Sequence, residues 1–290
     1  MKKNNKIALA IILVLLMLVF TACSGDYELK QPTNNESGEK SETTVAIVET
    51  VLYDANDIKI TATKLEKGFL GPEVKVLVEN NSSKNILATV DSVSVNGYMM
   101  SAASLYAEVA AGKKANEEIS FMSSELEQAG IETIAKMQFY ISISDAETWG
   151  DIAKSELLVL NTSAVDYVQP VDDSGDELYA ANGIKVVCKG LKKDVFWDGV
   201  LVFYIENNSG KAVTAYAENV SVNGFMVDAS MWSDLRDGTK IVDGLSLLDI
   251  SELEIEGIEE IENIEFNLRF INSETWDEIA TTDAIELNFK

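Results

Sequence analysis

"VSVNGYM", Val93 to Met99, returns as "VSVNGFM", Val220 to Met226, and this echo decides how the chain is read. Two copies of one motif, a domain's length apart in 290 residues, point to a duplicated unit. In each copy, valines at alternate positions run into Asn-Gly. That pair suits a two-residue type I′ turn, because both of its positions need positive φ. The stretch therefore reads as strand, turn and returning strand, with Tyr98-Met99 and Phe225-Met226 directly after the turn.

Upstream, "DIKITATKL" puts Ile58, Ile60 and Ala62 on one face, and "EVKVLVEN" does the same with Val74, Val76 and Val78. Period-two alternation of this kind marks half-buried strands. Ile86, Ala88 and Val90 alternate as well, then the phase slips at Asp91–Ser92, which predicts a bulge. Downstream, Ser124, Leu126, Glu127 and Gly130 predict a short helix with a serine capping box and a glycine stop. The same pattern recurs at Ser251, Leu253, Glu254 and Gly257. A long strand follows in each copy and ends in Glu147-Thr148-Trp149 or Glu274-Thr275-Trp276. "VENNS" from Val78 matches "IENNS" from Ile205, and "LYDANDIKI" from Leu52 matches "LYAANGIKV" from Leu178.

Residues 45–163 and 177–290 are accordingly expected to be two all-β units. Each is a β-sandwich of short strands with one short helix. Residues 164–176, "AVDYVQPVDDSGD", have the proline, glycine and acid content of an interdomain linker. Tandem units carrying "ENNS", "VSVNG", "SELE" and "ETW" resemble the immunoglobulin-like modules of uncharacterised surface lipoproteins from Gram-positive bacteria. The resemblance covers Val45 to Lys290. It implies immunoglobulin-like sandwiches at a cell surface and no established chemistry.

The N-terminus points the same way. Lys2, Lys3 and Lys6 precede an unbroken apolar run, Ile7 to Phe20, which is short of the roughly 20 residues of a transmembrane helix. Basic residues, an apolar core and small residues after it make an export signal over residues 1–22. The sequence Phe20-Thr21-Ala22-Cys23 resembles the lipobox of bacterial lipoproteins, although Phe20 stands where leucine is usual. The resemblance implies lipidation at Cys23 and anchoring on the extracellular face of the cytoplasmic membrane, since two or more acyl chains hold where one does not. Residues 23–44 are polar with little to bury, and read as a flexible tether.

Composition excludes more than it assigns. Acids outnumber bases 48 to 23, for a net charge of −25, which repels phosphate backbones and makes nucleic acid a poor partner. There is no histidine, so Ser-His-Asp and Cys-His catalysis and typical zinc enzymes are closed. With Cys23 acylated, only Cys188 remains, and it lies on the apolar face of Ile184 and Val186 as a small buried hydrophobe. Paired carboxylates could still hydrolyse a glycosidic bond, which leaves an accessory carbohydrate-active enzyme as one alternative. A calcium-dependent adhesion module is another, with Asp172, Asp173, Asp176 and Glu177 as oxygen ligands at the junction.

Candidate binding residues are aromatic. Phe69-Leu70 and Phe196-Trp197 sit at matched loop tips beside glycine, where apolar side chains form a ligand surface or the junction with the neighbouring domain. Trp149 and Trp276 recur near a strand end, where the simplest role is to pin the final turn against the sandwich. The expected protein is a non-enzymatic binding or spacer module without cofactors. Its partners are the membrane, through lipid, and an envelope protein or glycan.

Overall fold

The structure is a computed structural model that describes residues 45–192, 200–247 and 260–289. The expected signal, Cys23 and the tether lie outside these residues, as do Phe196, Trp197 and the second copy of the short helix.

The first unit contains ten strands: β1 (Thr50–Ala55), β2 (Ile58–Lys67), β3 (Pro72–Asn80), β4 (Ile86–Val95), β5 (Tyr98–Met99), β6 (Tyr106–Val109), β7 (Lys113–Ser120), β8 (Lys136–Asp145), β9 (Asp151–Lys154) and β10 (Leu158–Asn161). They form an antiparallel sheet β1-β2-β3-β7 and a second layer in which β4 and β8 are central. The two layers share one core. Ile58, Ile60, Val74 and Val76 from the first meet Ile86, Ala88, Phe139 and Ile141 from the second. These are the alternating apolar positions, and their burial is the main force holding the layers together.

The second unit follows the same plan with β11 (Asp176–Ala181), β12 (Ile184–Lys192), β13 (Val200–Asn207), β14 (Val213–Val222), β15 (Phe225–Met226), β16 (Ala229–Ser230), β17 (Trp232–Leu235), β18 (Thr239–Leu247), β19 (Asn263–Asn272), β20 (Glu278–Thr281) and β21 (Ile285–Asn288). Its core sets Val186, Phe203 and Ile205 against Ala215, Phe266 and Phe270. The protein is an all-β assembly of sandwiched sheets.

The repeated motifs have structural causes. Asn96 and Gly97 have φ of 51° and 86°, and Asn223 and Gly224 have 49° and 85°, as the mirror-image turn demands. The phase slip is a bulge: register shifts between Asp91 and Ser94 in one copy and between Glu218 and Ser221 in the other. In "ENNS" the first asparagine is fully buried. Asn80 Nδ2 donates to the Lys84 and Val109 carbonyls, and its Oδ1 accepts from the Ser82 amide and hydroxyl. Asn207 makes the same four bonds with Lys211, Leu235 and Ser209. A buried amide must be satisfied in this way or cost about 1–3 kcal/mol, which accounts for its return in both copies.

The helix α1 (Ser123–Gln128) corrects one expectation. Its N-cap is Met122, without a side-chain cap, so there is no serine capping box. Glu125 Oε1 instead accepts from the Ser101 amide and hydroxyl and the Ala102 amide, tying the helix to the loop after β5. The glycine stop is as expected: Gly130 has φ +65°, and Gly130 and Ile131 amides donate to the Glu127 and Leu126 carbonyls.

The copies meet asymmetrically. A single parallel bridge, Tyr98 to Lys240, joins β5 to β18, so that one layer of each unit merges into an eleven-stranded sheet. Beside it a cross-strand row, Val187–Tyr204–Val242, packs against the first core, while Met99 enters the second. The matching row of the first unit is Thr61–Leu77–Asn116, which is far more polar. Tyr98 and Met99 are 2% and 7% exposed, whereas their counterparts Phe225 and Met226 are 43% and 68% exposed. The segment between β10 and β11 is stitched to both units. Gln169 Nε2 donates to the Gly130 carbonyl, and Asp172 and Asp173 are ion-paired to Lys189 and Lys185 at 2.7 and 2.8 Å. Among the described residues no helix is long and apolar enough to cross a membrane.

Candidate functional site

Two tryptophans stand out because their backbone is unfavourable. Trp149 and Trp276 have φ of +60° and +64°, in the left-handed region where a bulky residue is an outlier. The cause is the turn of the "ETW" motif. Asp145 Oδ1 accepts from the Glu147 and Thr148 amides, Asn272 Oδ1 accepts from the Glu274 and Thr275 amides, and each tryptophan amide donates to the carbonyl four residues back. That geometry turns the indoles outward, to 67% and 65% exposure. The expectation that they pin the turn against the sandwich is therefore wrong. Left-handed backbone at such residues costs roughly 1–2 kcal/mol each, with no burial to offset it.

Among the described residues, Trp276 but not Trp149 meets another aromatic ring. On β17, Ser233 and Leu235 are buried, as is Met231 just before it, so alternation leaves Trp232 and Asp234 on the outer face. Trp232 stacks on Tyr216 of β14, its cross-strand partner, with centroids 5.5 Å apart and planes at 19°. It meets Trp276 at 6.3 Å and 47°, so the two indoles form an angled slot. Asp234 orients the slot: its Oδ2 accepts from Trp232 Nε1 at 3.2 Å, and its Oδ1 accepts from the Thr214 hydroxyl. Thr214 in turn lies 2.9 Å from the Ser273 hydroxyl. Arg269 sits over the Tyr216 ring at 5.8 Å and is neutralised by Glu218 at 3.1 Å.

The first unit closes the site. A cavity of about 220 Å³ is lined by Trp232, Asp234, Arg236 and Trp276 from the second unit and by Ser92 and Met99 from the first. An adjoining hollow of about 340 Å³ shares Ser92, Met99, Trp232 and Asp234 and extends along Val90 to Val93. Arg236 spans the junction, donating from Nε to the Ser92 carbonyl at 3.2 Å and from Nη2 to the Ser94 hydroxyl at 2.6 Å. Burial pulls its guanidinium below the ordinary value, yet arginine stays charged in proteins.

The sequence candidates fare unequally. Trp276 belongs to the cleft. Trp149 is at the "ETW" turn of the first unit, where Glu147 accepts from Asn85 Nδ2 in the loop that joins β3 to β4. Phe69 and Leu70, 98% and 55% exposed, form the tip before β3 begins. The nine residues of β3 separate the two groups by about 30 Å. The calcium candidates are also dispersed: Asp172 and Asp173 are neutralised by lysines, and among the described residues no group of three or more acids, histidines or cysteines could hold a metal. The lysine partners hold both carboxyls well below the usual range. Cys188 is buried, and desolvation raises its thiol pKa. Trp232, Tyr216 and Arg236 were not singled out from sequence. The alternation of "MWSDL" already placed Trp232 on a solvent face, and that was the available signal.

Comparison with known proteins adds little. No family model and no curated protein matches the chain. Among solved structures, the YadV chaperone is 11% identical, covers 80% of this chain and 100% of its own, and gives a TM-score of 0.24. The Amycolatopsis orientalis exo-chitosanase CsxA is 11% identical over 83% of this chain and 26% of its own, with a TM-score of 0.22. A Porphyromonas gingivalis W83 protein of unknown function is 10% identical over 85% and 99%, at 0.19. Overlaps this small, at such identities, establish no shared fold and bring no activity to this chain.

Proposed function

We propose that this is a non-enzymatic binding module of two immunoglobulin-like sandwiches, tied by acylated Cys23 to the extracellular face of the bacterial cytoplasmic membrane. Its binding face is the cleft between the units. One observation carries the reading: Trp232 and Trp276 are held half-exposed and together over a cavity that both units build. Large apolar side chains kept on a surface at a backbone cost are a binding feature. The non-catalytic reading draws on the sequence, which has no histidine to serve as the base of a Ser-His or Cys-His site.

The test is co-sedimentation of the full chain, in detergent, with purified cell envelopes stripped of membrane. Wild type is expected in the pellet, and the Trp232→Ala/Trp276→Ala double variant in the supernatant. Equal sedimentation of both would remove the cleft as the binding face. Metabolic labelling with a fatty acid tests the anchor separately: label in wild type and none in Cys23→Ala is the expected pattern.

A further inference from the structure

Resting on that reading, we propose that the cleft takes a sugar ring bearing a carboxylate. The ring lies in the Trp232–Trp276 slot and its acid on Arg236. Three features of the cleft select this chemistry.

The first is shape. The cavity of about 220 Å³ is below the roughly 300–1,000 Å³ of pockets that enclose drug-sized ligands, so it accommodates about one ring. Its two indoles stand at 47°, and Trp232 is fixed through its N–H by Asp234. A pyranose offers such a slot a flat face of C–H groups and a rim of hydroxyls. The stack gains from the aromatic face, and Ser273 supplies a hydroxyl at the wall.

The second is charge. Arg236 has five N–H donors, and its recorded bonds are those to Ser92 and Ser94. Among the described residues no carboxylate pairs with it, although the chain carries 48 acids. Arg269, on the other side of Trp232, is by contrast neutralised by Glu218. A partly desolvated guanidinium left without an acid is matched best by a carboxylate from a ligand. The third is Asp234. Thr214 and Trp232 donate to its two oxygens, so its acceptors are directed at the wall of the slot, while Arg236 is the cation that lines the cavity.

The experiment is calorimetric titration of the full chain with hyaluronan tetrasaccharide and with the same tetrasaccharide after reduction of its carboxylates. A third arm is N-acetylglucosaminyl-N-acetylmuramic acid, whose carboxylate is on a lactyl ether, and a fourth is a polyproline decamer. Either carboxylated sugar should bind about tenfold or more tighter than the reduced one, and which of them binds identifies the source of the acid. Arg236→Gln should erase that preference, bringing the carboxylated and reduced sugars to equal affinity. Trp276→Ala, on an exposed turn, should weaken all sugar binding about thirtyfold, while Tyr106→Ala/Trp149→Ala should not. Equal affinity for the oxidised and reduced forms overturns the carboxylate assignment and leaves a sugar site. Binding of polyproline alone, or of no probe at millimolar concentration, overturns the sugar assignment. The cleft as a binding face then stands or falls on the sedimentation test.

Discussion

Trp149 and Trp276 occupy the same turn in the same strained conformation with nearly the same exposure, yet only one belongs to a site. Around Trp276 the second unit adds Trp232 and Tyr216, and the first unit adds Ser92 and Met99 as a wall. Around Trp149 there is Tyr106 at the position of Trp232, but Thr89 stands where Tyr216 would stack and Ser142 where Arg269 would lie over it. The duplicated motif supplies an outward indole. The junction and a few unshared residues turn that indole into a cleft.

The hairpin tips test the junction most severely. Met99→Ala should cost about 2–5 kcal/mol, because Met99 is buried in the core of the neighbouring unit. Met226→Ala, at the equivalent but exposed position, should cost under about 0.5 kcal/mol. Denaturant midpoints for the pair measure this, and equal losses would mean that the two tips are used alike.

The aromatic stack comes next. Tyr216→Thr imposes the first unit's residue on the second and should remove about 0.5–1.5 kcal/mol of ring stacking beneath Trp232. It should also loosen the indole, seen as broadening of its Nε1–H signal by NMR. Thr89→Tyr, the reverse exchange, should not create a cleft, because the cleft at Trp276 also needs Ser92 and Met99 as its wall.

The smallest effect separates the two turns by pH. Asp145 is held down to about 2 from 3.8, chiefly by its bond with Lys84 and then by the Thr148 and Glu147 amides. A lowered folded value means that its contribution is complete above the ordinary pKa and is lost as pH falls toward 2. The Thr148 and Trp149 amide signals should therefore shift between about pH 4 and 2. The Thr275 and Trp276 signals should shift less, since Asn272 has no charge to lose and the nearby carboxylate, Asp277, bonds the Thr275 hydroxyl rather than the turn amides. Asp145→Asn should make the first turn as insensitive as the second. A shift persisting in that variant would assign the titration to another group.

The sheets were legible because each strand's pattern is local. Ile58 and Ile60, Val74 and Val76, and the Asn-Gly turns declare their faces and dihedrals within a few residues. The bulge at Asp91–Ser92 and the glycine stop at Gly130 were legible for the same reason. Looking for matched positions also misled, because it drew attention to what the units share. Trp232 and Arg236 matter through what they do not share, and their neighbours Ser92 and Ser94 are more than 130 residues away in sequence. Met122 as the helix cap was equally hidden, since Ser124 and Glu127 have the spacing of a capping box but the helix already begins at Ser123, which places Ser124 inside it.

The contact between the units is heterologous: a donor tip on the first meets an acceptor row on the second. If both units carried both surfaces, nothing would close the series and molecules could add end to end without limit. The row Thr61–Leu77–Asn116 is not a second copy of that acceptor, because threonine and asparagine stand where the second unit has Val187 and Val242. Among the described residues, duplication thus made a joint that is used once.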